Sequence, residues 1–535
     1  MMDPVTNNRI PSQPRATVVH LALLLAFSFQ LFAAGSALDP PPADSIAAIS
    51  PAELKMHLDF LASKEFGGRY TLSPSFNLAA KYLATRLESY GYRGAGNNGS
   101  FYQEFELTSA SVEGDKSSLS VSSGNDTRQH PYGDFFNAGA GSGSAQGEVV
   151  FVGYGISAPR FHHDDYAGLD VKGKIVLIAP GVPEGIDSSR LEDEEKDDDA
   201  AFAHGAVAVF VIPAKYYADA MAAGSFRDRG SERVRLTAAP VNPLPIVRLN
   251  PALSDQLLAP AGLTIKQIHE AGTKHAALTP KATGITASVI LAIKETRSTS
   301  QNVVGILLGT DSKLKDEYVT FSAHYDHLKT NEKGQVYPGA DDDGSGTVSV
   351  LNIARAMALH LPKRSVFIIF HAGEELGLLG SKYNADFGHA VPLDKMAIDL
   401  NIDMIGRSKP AGDTEPRDAQ LTGPNTIYAI GADRISKELH QIHVQTDEEF
   451  EKLDIDYTLN NPNHPDRIYF RSDHWNYAKH GVPIIFYFDG VHVDYHQPTD
   501  TVDKIDFIKM SRVARLAFET GWRVAQLDHK LAKTN

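Results

Sequence analysis

Apolar residues recur along this chain with three textures. Over residues 51–92 they follow a helical period in two pieces, with Leu54, Leu58 and Leu61 on one face and Ala79, Tyr82, Leu83 and Leu87 on the other, parted at Gly67-Gly68. Over residues 124–298 the texture becomes short β-like runs between glycines and prolines, as at 148–152, 174–178 and 206–212. From residue 301 onward, strand-length apolar runs at 303–308, 318–323, 365–370, 396–402 and 483–488 alternate with helical stretches such as 347–361 and 507–527. Buried apolar strands alternating with amphipathic helices predict an α/β fold with a mostly parallel sheet covered on both faces. Ligand sites on such sheets lie beyond the carboxyl ends of the strands.

Composition narrows the function. The 535 residues carry a formal charge of −15, and no Lys/Arg block exceeds two residues, so nucleic acid is excluded as a partner. Cysteine is absent, which removes thiol nucleophiles, thiolate metal sites and disulfides. Any metal must therefore be held by oxygen and imidazole. Residues 1–37 read as a cleaved secretory signal: Arg9 and Arg15, then an apolar run at 17–34, then the small residues Gly35, Ser36 and Ala37. Export to a periplasm or the medium suits a cysteine-free chain, and membrane association is expected only if that segment is retained as an anchor. The acidic run at 191–199 reads as a solvated loop rather than a calcium site.

Metal-ligand residue types recur at the predicted strand ends: His324-Tyr325-Asp326, Gly339-Ala340-Asp341-Asp342-Asp343-Gly344, His371-Ala372-Gly373-Glu374-Glu375, Asp403, and Tyr495-His496. Each alone is an ordinary polar loop. Together, after strongly apolar strands, they would be very costly to bury without a compensating cation.

The fragments AHYDH, PGADDDGSG, HAGEELGLLGS, NIDMIG, YFRSDHWNYAKHGVP and DYHQPTDT resemble those of the secreted co-catalytic zinc aminopeptidases, relatives of bacterial leucyl aminopeptidase and of the glutamate carboxypeptidases. The resemblance spans residues 301–526 and the upstream EFGGR at 65–69. Residues 147–156 and 165–178 resemble the protease-associated domain inserted in many members. The implied organisation is a signal peptide at 1–37, the first part of the peptidase core at 38–123, the inserted domain at 124–298 and the catalytic core at 299–535. The implied fold is a mixed, mostly parallel eight-stranded sheet sandwiched by helices. The resemblance further implies two zinc ions, with Asp341 bridging, His324 and Asp403 completing one site, and Glu375 and His496 the other. It implies a cis bond after the bridging aspartate, Glu374 as general base, Asp326 orienting the His324 imidazole and Tyr495 stabilising the oxyanion. Asp473 and His474 are expected to shape the substrate pocket. Peptides are the expected substrates, and nothing in the pattern specifies an oligomeric state.

Three rival readings fare worse. The His492/His496 spacing lacks the glutamate and the helix of a single-zinc HExxH site. His162-His163-Asp164-Asp165 lies in the inserted segment and reads as a turn, and no GxSxG elbow exists. Within the zinc-peptidase reading, a carboxypeptidase or dipeptidase with Arg471 clamping the substrate carboxylate is the alternative. From another class comes a catalytically inactive, receptor-like binding protein, which would be expected to lack part of the ligand set.

Overall fold

The computed structural model describes residues 38–534 apart from 138–140, 187–190, 192–194, 223–231, 241–243, 332, 462–463 and 465. The segment read as a signal, 1–37, and residues 192–194 of the acidic run lie outside the described residues; of the rest of that run, expected to be a loop, Asp197–Asp199 open the helix Asp197–Ala203 and Glu195 pairs with Arg160. No described helix is long and apolar enough to cross a membrane.

A ten-stranded sheet runs in the order Glu232–Leu236, Tyr102–Val112, Ile293–Leu307, Ser365–His371, Tyr318–His324, Met396–Ile402, Ile484–Phe488, Thr426–Ile430, Asp454–Asp456, with Arg93–Gly94 also paired to Ile293–Leu307. The α/β class agrees with the sequence, but the sheet is larger than eight strands and not mostly parallel. Ser365–His371, Tyr318–His324, Met396–Ile402 and Ile484–Phe488 are mutually parallel, whereas the long strands Tyr102–Val112 and Ile293–Leu307 are antiparallel to each other, and Ile293–Leu307 also to Ser365–His371. Those two long strands carry polar residues over much of their length, as at 294–302 and 103–111, which is why apolar runs alone revealed only the end of one and none of the other.

Side chains alternate across the sheet with a period of two. Phe321, Ile368, Leu400 and Ile485 share one face by register. Against it lies helix Phe507–Gln526, where a Cβ on Gly521 would meet Phe321 at 2.3 Å, so only glycine permits that approach. Phe367, Ile369, Ile484 and Phe486 point the other way, into a cluster with Tyr477 and Ala478 of helix His474–Ala478. All of these strand residues are buried, each worth about 1.5–3 kcal/mol. The upstream helices Pro51–Leu61 and Pro74–Ser89 start where a serine precedes a proline: Ser50 and Ser73 accept from the amides of Glu53 and Phe76, and the prolines occupy the first helical position.

A second, eight-stranded sheet is drawn wholly from residues 118–291. It has its own core of Leu119, Val149, Phe151, Leu177, Phe210, Val247 and Val289. One piece of the same stretch behaves differently: Glu232–Leu236 leaves that sheet and pairs with Tyr102–Val112 at the edge of the ten-stranded one.

Arg69 ties the upstream helices to the parallel strands. Its fully buried guanidinium donates to the carbonyls of Tyr325 (2.9 Å), Leu61 (3.2 Å), Pro338 (2.6 Å) and Gly339 (2.8 Å). Burial pulls its pKa down, while Asp343, Asp342, Asp500 and Asp326 push it up. Arg69→Met should strand those carbonyls and cost about 3 kcal/mol or more, read as an earlier urea midpoint. An unchanged midpoint would show that the carbonyls find other partners.

Candidate metal centre

The parallel strands end at one level. His324 pairs in register with His371, and Asp403 follows Met396–Ile402, its amide donating to Tyr487 O at 3.3 Å. The loops beyond these ends converge with residues 340–345 and 492–496, as the topology requires.

The three successive aspartates divide the work. Asp343 accepts from the amides of His324 (3.2 Å), Gly346 (2.9 Å) and Met404 (3.2 Å), stitching three loops together. Asp341 accepts from the Gly406 amide (2.7 Å) and pairs with His492 Nε2 (3.1 Å), while its own amide donates to Asp500. Only Asp342 faces the other candidates: its Oδ1 lies 3.4 Å from His324 Nε2, and its Oδ2 lies 3.1 Å from His496 Nε2. The shared position expected for Asp341 is thus taken by Asp342, and the cis bond lies at Asp342–Asp343 instead of Asp341–Asp342. Two glycines of the motif make the turn possible. Gly339 has φ +58, and a Cβ on Gly346 would sit 2.1 Å from Ile402 O.

Around Asp342 the side chains fall into two groups: His324 with Glu374 and Asp403, and His327 with Asp342 and Glu375. His324 Nε2 lies 3.6 Å from Asp403 Oδ1 and 3.8 Å from Glu374 Oε2. His496 Nε2 lies 3.1 Å from Glu375 Oε2. His327 was not among the residues expected here, although the HxxH spacing of AHYDH carried the signal. His492, paired with Asp341, stays out of both groups.

Asp326 accepts from Thr71 Oγ1 (2.8 Å) and from the Glu374 amide (3.2 Å). What meets the Nδ1 of His324 is the main-chain carbonyl of Asp326 at 3.3 Å; its carboxylate stands at 3.7 Å. The Tyr495 ring stacks on His496 with centroids 3.8 Å apart, and its hydroxyl accepts from Arg471 at 3.3 Å. Asp342, Glu374, Asp403, Arg471 and Tyr495 line one cavity whose remaining wall is apolar: Met404, Ile468, Phe486, Phe488 and Val491. Asp473 and His474 do not line it. Asp473 pairs with His371 (3.2 Å), and His474 meets Tyr469 O (2.8 Å). Among residues 162–165, His163 pairs with Asp165, which also accepts from the Ile156 amide, so that group holds a turn together. Two backbones at the site, Met404 (φ 58) and His496 (φ 57), are left-handed, a conformation that persists only where surrounding structure imposes it.

The electrostatics favour a cation. The side chains of Asp342, Glu375, Asp403 and Glu374 are only 4%, 4%, 10% and 14% exposed. Burial pushes the Glu374 carboxyl well up, and Asp403, Glu375 and Asp473 add to this against His324. Burial likewise raises Asp403. Burial would lower His496, but Glu375 and Asp342 carry it up to about 10. His324 is also raised, since Glu374 and Asp403 outweigh burial. His324 Nε2 and Asp342 Oδ2 are buried without a hydrogen-bond partner, the condition a metal ion would relieve. Imidazole and carboxylate are a normal donor set for zinc.

Two predictions follow from this geometry. Asp342→Asn should empty the centre in a chain that still folds, whereas Asp341→Ala, by breaking the buried pair with His492, should cost about 3–5 kcal/mol in stability. Zinc content and urea unfolding of both variants check the division, and zinc lost from the Asp341 variant alone would reverse it. Secondly, protons held on His324 and His496 must leave when a cation binds, so apparent zinc affinity should rise between pH 6 and 8. Competition titration reads this, and a pH-independent affinity would contradict it.

Residues 302–521 match the model described as peptidase family M28. A probable zinc metalloprotease of Pyrenophora teres f. teres is 30% identical over 247 residues, 41% of this chain and 50% of the relative. Aminopeptidase YwaD of Bacillus subtilis is 38% identical over 114 residues, 21% of this chain and 23% of the relative. The chain spans less than two thirds of the length of the curated relatives it matches. An aminopeptidase from Aneurinibacillus sp. strain AM-1 shares the fold, with a TM-score of 0.56 at 20% identity over 91% of this chain and 96% of that one.

Proposed function

We propose, from the match of residues 302–521 to peptidase family M28, that the protein is an exported zinc exopeptidase, an aminopeptidase releasing N-terminal residues from peptides at a dinuclear centre. The observation that carries the dinuclear reading is Asp342, whose two oxygens approach His324 on one side and His496 on the other. A shared carboxylate offsets the repulsion between two dications. His324 and Asp403 would complete one half, and Glu375 and His496 the other.

Zinc bound there supplies Lewis acidity and makes water a nucleophile near neutral pH. The chain supplies the rest. Glu374, lining the cavity beside His324, takes a proton from the attacking water and returns it to the leaving amine. Asp326 holds Glu374 through its amide. Tyr495 Oη, fixed by Arg471, donates to the carbonyl oxygen as it becomes an oxyanion. The apolar wall of Met404, Ile468, Phe486, Phe488 and Val491 receives an uncharged side chain, and the surrounding carboxylates suit a substrate's free amine.

One observation favours a second reading. Arg471 lines the same cavity, where it is placed to clamp a substrate carboxylate as a carboxypeptidase would require. Dipeptides blocked at either end separate the two: cleavage should survive C-terminal blocking and stop on N-terminal blocking, and the reverse pattern would establish the carboxypeptidase. Glu374→Gln should keep its zinc and lose about 10²–10⁴ in turnover, measured on an aminoacyl-nitroanilide. Equal loss of zinc from the Glu374 and Glu375 variants would overturn the roles assigned within the pair.

A further inference from the structure

The dinuclear reading uses five residues, and the structure brings a sixth into the same centre. His327 is fully buried, and its Nδ1 lies 2.9 Å from Glu375 Oε1 and 3.7 Å from Asp342 Oδ2. Despite that proximity neither ring nitrogen has a hydrogen-bond partner. A buried imidazole left this way is costly. A short nitrogen–oxygen approach without hydrogen-bond geometry is what two donors show along one edge of a shared coordination shell.

The ring has little freedom to turn elsewhere. The His327 amide donates to Arg69 O at 3.1 Å. Gly339 lies so close that a Cβ there would stand 2.6 Å from the imidazole carbons. The His496 ring crosses it edge-on at 6.0 Å between centroids. Backbone and neighbours therefore hold the imidazole beside the carboxylates of Asp342 and Glu375.

We propose that His327 is a ligand of the second zinc ion, making that half a closed set of His327, Asp342, Glu375 and His496. The inference rests on the dinuclear reading and extends it. The first half has His324, Asp342 and Asp403, one protein donor fewer. A closed four-ligand shell is characteristic of structural zinc, and a three-ligand shell of catalytic zinc. The two halves are thereby unequal: the open position belongs to the half that adjoins Glu374 and the lined cavity, and the His327 half chiefly holds Asp342 and Glu375 in place.

The test uses the full chain, zinc and cobalt(II). X-ray absorption of the two-zinc protein should count three imidazoles for two ions, from His324, His327 and His496. His327→Gln and His327→Asn should keep the first ion, bind the second more than about 100-fold more weakly, and alter the cobalt(II) visible spectrum only at the second equivalent. Thermal unfolding of the metal-free variants shows whether either has lost its fold, and the one that keeps it is used. Two imidazoles for two ions in the parent, or a folded variant that binds both ions with unchanged affinity and spectrum, would overturn the role of His327. A parent chain that binds fewer than two ions would overturn the dinuclear reading itself.

Discussion

Four carboxylates, those of Asp342, Glu374, Glu375 and Asp403, are gathered with the imidazoles of His324, His327 and His496 in one largely buried cluster. Holding that much like charge together is unfavourable in a low-dielectric interior. Much of the surrounding structure supplies the restraint. The parallel strands deliver their ends at one level, the Asp343 carboxylate gathers three loops by their amides, and Arg69 grips the carbonyls of the turn that carries Asp342. Removing these supports would let the carboxylates spread apart. Supplying a dication satisfies them where they stand.

This frustration has a use. A cavity that is uncomfortable in the absence of a cation has a large differential affinity for one, because the cost of assembling the donors has already been met in folding. The same crowding raises the Glu374 carboxyl while no cation is bound, and a dication held by its neighbours would bring it back toward the range of a general base. Folding, cation binding and proton transfer thus depend on one electrostatic arrangement.

Much of this was legible in the sequence, for identifiable reasons. Apolar strands such as Met396–Ile402 show their bounds because both faces are buried, and polar residues directly after such a strand mark a site by the chemistry they bring. Three features were not legible. Asp341, Asp342 and Asp343 are identical in type, and which one faces the cavity is decided by the turn of the backbone between Gly339 and Gly346. Strand Tyr102–Val112 alternates polar and apolar residues and so lacks the signature of a doubly buried strand. The pairing of Glu232–Leu236 with that strand joins segments more than a hundred residues apart, a contact no local pattern encodes.

The most direct measurement is anomalous diffraction at the zinc edge from crystals of the zinc-loaded protein. Two peaks should flank the Asp342 carboxylate, one shared with His324 and Asp403 and the other with Glu375 and His496. A single peak, or two peaks bridged by Asp341 with Asp342 turned away, would contradict the account.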